Sequence, residues 1–144
     1  MANVSLHVSR IVVKADRLVC DIVLSPYCPR NSSPALMNIL QKQHPALPRH
    51  VCKNKHGVLF GEVMNSTSLI HVLEHVAIDC MVQEMLKQKT CSDKLIMGNS
   101  QWLDRNAGTG RLELGFQDDI AALHALNNAT AQINSALEQV FRVH

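Results

Sequence analysis

His71, Glu74 and His75 fall within five consecutive residues, His71-Val72-Leu73-Glu74-His75, inside an apolar run. If the run is helical, an advance of about 100° per residue puts His75 roughly 40° to one side of His71 and Glu74 roughly 60° to the other. Three polar side chains then crowd one edge of a helix otherwise made of Leu69, Ile70, Val72, Leu73, Val76, Ala77 and Ile78. Burying such groups without a partner is costly. A divalent metal, Zn2+ above all, suits two neutral imidazoles, and the glutamate beside it is placed to act as catalytic base on a water that the metal activates.

The order His-x-x-Glu-His is the inverted form of the zinc-peptidase helix motif. Such a site needs a third ligand. Cys52 would suit zinc as a thiolate, with the buried small hydrophobe as its other reading. His50 and His56, close to it in the same polar stretch, could each take its place. Glu113 is a further candidate, because inverted motifs often draw a glutamate from later in the chain. It alternates with Leu112 and Leu114, so it also reads as a solvent-facing strand residue. Asp79 continues the His71/His75 spacing by one more turn, where a carboxylate can orient a ligating histidine or simply pair at the surface.

The elements that must position these residues follow from periodicity and punctuation. Residues 5–14 and 18–24 are rich in β-branched side chains and roughly alternate, with a turn at 15–17, so an opening hairpin is expected. Ser33 followed by Pro34 is a helix start, serine as cap and proline in the first turn. Pro45 and Pro48 end that helix. Residues 49–55 form a polar loop, and residues 57–64 fit a short helix or a strand equally well. A long helix is expected over residues 68–89, apolar nearly all round in its first half and polar from Gln83 onward. A third strand is expected to begin at Leu95-Ile96-Met97, followed by a glycine-containing turn at 104–110 and a fourth strand at 111–117. Asp118 or Asp119 can cap a last helix carrying Ile120, Leu123, Leu126, Ile133, Leu137 and Val140. Two hairpins with two to three helices make a single α+β domain over residues 1–144, its helices packed on one face of an antiparallel sheet.

Composition narrows the function classes. The chain has 144 residues, 47% of them hydrophobic, with only 3% aromatic, so its core must be aliphatic. A net charge of +2 argues for neither nucleic acid nor a lipid surface. No stretch approaches the ~20 apolar residues of a membrane span. The first residues carry neither a basic flank nor an apolar block, so no signal peptide is expected. Five cysteines without paired spacing suit thiols in a reducing cytoplasm.

The motif also has a familiar setting. Ser33-Pro34 opens an apolar-faced helix, and Leu47-Pro48-Arg49-His50-Val51-Cys52, Gly57 and Phe60 follow. Thr67-Ser68-Leu69-Ile70-His71-Val72-Leu73-Glu74-His75-Val76-Ala77-Ile78 comes next. Together these resemble the N-terminal domain of cyanophycin synthetases, most firmly over residues 33–80, with the later strand and helix of residues 111–137 matching in pattern. In that family the domain precedes an ATP-grasp and a Mur-ligase-like domain, neither found in this sequence, so the chain reads as a stand-alone counterpart. The resemblance implies a metallopeptidase-like module, which in some members hydrolyses the Asp–Arg polymer. It implies His71 and His75 as metal ligands, Glu74 as catalytic base, and Cys52 as third ligand or close neighbour of the metal. The family's glycine-rich segment, which usually ends in Thr-Arg, is Gly98-Asn99-Ser100-Gln101 here, so the arginine position is uncharged. That difference bears on the substrate more than on the metal.

Three functional readings follow. One is a zinc-dependent hydrolase of peptide or isopeptide amides. Another is a non-catalytic module that holds a peptide-like or small-molecule ligand. The third is an assembly subunit, since the apolar central helix permits a homo-oligomer without requiring one.

Overall fold

The computed structural model describes residues 4–54, 57–88 and 97–142. Its main sheet has four antiparallel strands in the order β1-β2-β6-β5: β1 Leu6–Val13, β2 Arg17–Leu24, β5 Gly98–Asp104 and β6 Thr109–Gly115. β1 and β2 form the expected opening hairpin, β5 and β6 form the second, and β2 joins the two by pairing with β6. A separate two-stranded ribbon, β3 (Val51–Asn54) and β4 (Gly57–Leu59), precedes 3-10 turns at Phe60–Glu62 and Met64–Ser66. The stretch 57–64 is therefore strand first and tight turn after.

Three α-helices cover one face of the sheet: α1 Pro34–Gln43, α2 Leu69–Lys87 and α3 Asp119–Arg142. α2 lies over β5 and β6, α3 reaches β1 and β2, and α1 packs on α3. Period-two burial explains the sheet: Leu18, Cys20, Ile22 and Leu24 of β2 and Leu112 and Leu114 of β6 are buried, while their neighbours are half-exposed. Those core residues meet Leu69, Ile70, Val72, Leu73, Val76 and Ala77 of α2 and Leu126, Ala129, Ile133 and Leu137 of α3.

The helix starts are as the sequence implies. Ser33 Oγ accepts from Leu36 N–H, Ser68 Oγ accepts from His71 N–H, and Asp118 Oδ1 accepts from Ile120 N–H. Among the described residues the third strand runs from Gly98, just after Met97. Leu95 and Ile96 lie outside the described residues, as does His56. Among the described residues no helix is long and apolar enough to cross a membrane.

Candidate metal centre

α2 enters the core as a cylinder with almost no polar side. Ten of its residues are buried, and Glu74, His75 and Asp79 are among them. Its first turn is fixed before it starts: Leu69 N–H donates to the Arg30 carbonyl and Thr67 N–H to Ser32 Oγ. His71 is held by this arrangement at both backbone and ring. Its N–H is capped by Ser68, and its Nδ1 lies 2.9 Å from Thr67 Oγ1. Its Nε2 then faces Cys52 Sγ at 3.2 Å, with Cys52 supplied by β3. Phe60, fully buried, stacks on the His75 ring at a centroid distance of 4.2 Å and meets the His71 ring edge-on at 5.0 Å. This dry wall explains why burial lowers the pKa of His71 and, with the neighbouring His71 and His50, pushes His75 down to about 3.

Behind His75 lies a buried polar chain. Asp79 accepts from His50 Nε2 at 3.1 Å, from His44 Nδ1 at 2.7 Å and from Gln83 Nε2 at 2.8 Å. These partners outweigh burial and hold its carboxyl below the usual carboxylate range. His44, the C-cap of α1, also donates through Nε2 to Gln132 Oε1 of α3 at 2.5 Å. Burial alone would push the His44 imidazole down, but its hydrogen bonds to Asp79, Cys80 and Gln132 push it up to about 10.

This chain fixes the His75 tautomer. His50 Nδ1 and His75 Nδ1 face each other at 3.1 Å, and one proton must lie between them. Asp79 takes the His50 Nε2 proton, so the bridging proton belongs to His75 Nδ1. His75 Nε2 is left with a bare lone pair, buried and without a hydrogen-bond partner among the described residues. A buried polar atom in that state calls for a partner, and a metal ion would supply one.

The donor set fits zinc. Cys52, His71 and His75 each offer one ligand atom, and the three lie within 4.8 Å of one another. Tetrahedral zinc with bonds of about 2.0–2.3 Å sets its ligand atoms about 3.3–3.8 Å apart, so only a small closure is needed. A thiolate with two imidazoles is the chemistry zinc prefers. Glu74 Oε2 lies 3.8 Å from His75 Nε2. Burial raises the Glu74 pKa against a hydrogen bond with Ser100 that lowers it. β5 comes close here, because a Cβ on Gly98 would stand 2.8 Å from Glu74 Cγ. The group opens into a cleft of about 810 Å³ whose lining includes Arg49, Val51, Ile78, Met97 and Asn99.

Of the residues singled out in the sequence, His71, His75, Cys52, Glu74, His50 and Asp79 come together. Glu113 does not. It sits on the sheet face turned away from α2 and accepts from Arg17 Nε at 2.9 Å, the solvent-side role that its alternation with Leu112 and Leu114 allowed. His44, Phe60 as a ring partner, and Gln132 were not legible as site residues, since each reaches the cluster only through folding; Thr67 is local to His71 but read only as a helix-start residue.

Residues 17–138 match the family described as the cyanophycin synthase-like N-terminal domain. No curated protein matches the chain.

Proposed function

Because this chain belongs to the family of cyanophycin synthase-like N-terminal domains, we propose that it is a zinc-dependent hydrolase of peptide or isopeptide amide bonds. One observation carries the reading: a bare, buried His75 Nε2 lies beside a cysteine and a second histidine, with the Glu74 carboxyl 3.8 Å away. Cys52, His71 and His75 would hold the metal. Bound there, zinc supplies Lewis acidity, polarising the amide carbonyl and easing deprotonation of the attacking water.

The protein's own groups do the rest. Glu74 takes the water proton at a carboxylate oxygen and passes it to the leaving nitrogen, a task that burial suits by raising its pKa. Asp79 and His50 hold His75 in the tautomer that leaves Nε2 unprotonated. Thr67 turns the His71 ring, and Phe60 keeps water from the imidazole faces.

A second reading, a binding module that keeps the metal without turnover, draws on the segment 98–101, whose first three residues line the cleft. That segment carries no charge where the resembling domains tend to place arginine. Glu74→Gln separates the two. Zinc-loaded wild type should release free amine from short Asp–Arg polymer, and the variant should keep its zinc while turnover falls at least ~100-fold. Equal turnover in both proteins would remove Glu74 from the chemistry, and a zinc-loaded wild type that never turns over would favour the binding module.

A further inference from the structure

The two edges of the main sheet differ. At β1 the start of the edge is occupied: Asn134 of α3 accepts from Leu6 N–H and donates to the Leu6 carbonyl, both at 2.9 Å. Covering an edge in this way blocks further strand pairing. At β5 no strand among the described residues pairs on the side away from β6.

Register tells which β5 groups face outward. Gly115 N–H donates to the Met97 carbonyl, and this pair extends the Gly98↔Leu114 register by one residue. Antiparallel ladders alternate bonded and non-bonded pairs. Asn99 and Gln101 therefore bond inward to β6, and the N–H and C=O of Gly98 and Ser100 point out from the sheet. These same residues line the cleft, and Gly98 lies directly against Glu74. Val51 and Cys52 of β3 also line it, as do His71, Glu74 and His75 of α2.

We infer that an extended polypeptide segment binds by adding to the outer edge of β5, exchanging main-chain hydrogen bonds with Gly98 and Ser100 and so drawing an amide across Glu74 and the Cys52–His71–His75 donors. The inference rests on the hydrolase reading and deepens it, because it names the ligand as an extended main chain. Main-chain bonds supply affinity with little regard to sequence, and the apolar lining at Val51, Ile78 and Val82 is left to select side chains.

The test uses two probes on the zinc-loaded full chain, titrated by calorimetry: acetohydroxamate, which only chelates, and the tripeptide hydroxamate acetyl-Ala-Leu-Ala-NHOH. The tripeptide should bind about tenfold tighter or more, as expected for two added main-chain hydrogen bonds. The same peptide N-methylated on its backbone should lose that gain. Ser100→Pro deletes one outward N–H at an edge position that tolerates proline, and it should also lose the gain, while Ser100→Ala keeps it. An N-methylated peptide that binds as tightly as its parent overturns the proposal, as does a full gain in a folded Ser100→Pro protein. A dimer that depends on the β5 edge and is unmoved by the peptide would assign the edge to a second copy, also overturning it. If acetohydroxamate itself fails to bind zinc-loaded wild type, the metal-site reading falls first and takes the inference with it.

Discussion

Replacing Asp79 with alanine strands the His44 imidazole in the core. His44 is 1% exposed, and the groups around it hold its pKa at about 10 against an ordinary 6.5. At about 1.4 kcal/mol per pKa unit, that shift corresponds to roughly 5 kcal/mol of net preference for the charged ring, which Asp79 and its neighbours supply beyond offsetting the cost of burial. Removing one partner of a buried ion pair typically costs about 3–5 kcal/mol. Asp79→Ala should therefore lose about 3–5 kcal/mol, a large share of the roughly 5–15 kcal/mol expected for a domain.

The loss has a predictable pH profile. The Asp79 carboxyl is lowered by folding, so its contribution is present above its unfolded value of 3.8 and fades as pH falls below that. The His44 ring is raised, so its contribution is complete below 6.5 and fades as pH rises toward about 10. The gap between wild type and variant should be widest between pH 4 and 6.5 by these two values. Urea unfolding followed by far-ultraviolet circular dichroism across pH 4–9 reads this out. A loss under about 1 kcal/mol, or a gap that stays constant above pH 6.5, would refute the buried pair. Replacing both His44 and Asp79 with leucine should recover part of the loss, since no unpaired charge is left behind.

Two further outcomes follow from the site. His50→Phe keeps a ring against His75 but removes the acceptor that fixes its tautomer. Zinc affinity measured by competition with a chromophoric chelator should fall about 10–100-fold, and an unchanged affinity would show that His50 does not set that tautomer. Burial holds His71 low and pushes His75 down to about 3, so neither ring carries an extra proton near neutrality. Neither imidazole then has a proton to release on metal binding, so zinc affinity should fall no more steeply than about tenfold per pH unit from pH 8 to 6; a twofold steeper slope would place an imidazole proton in competition.

Much of this was legible in the chain because it is local. The 3.6-residue period alone put His71, Glu74 and His75 on one helix edge, and the Ser33-Pro34 and Ser68 starts were set by short-range hydrogen bonding. Alternation placed Leu112 and Leu114 in the core and gave Glu113 its outward role. The start of β5 was not legible, because Gly98-Asn99-Ser100-Gln101 carry no apolar alternation. An edge strand lining a cleft needs little. The network behind His75 was hidden for another reason. His44 and Asp79 are separated by 35 residues, and His44 and Gln132 by 88, so only the packing of α1 and α3 around α2 brings them together.

Metal bound at Cys52, His71 and His75 underlies the proposed chemistry. The zinc content of protein purified without chelator, for wild type and for His71→Ala/His75→Ala, tests it most directly. About one equivalent is expected in wild type and none in the double variant. Wild type that holds no zinc even after incubation with the ion near neutral pH would contradict it.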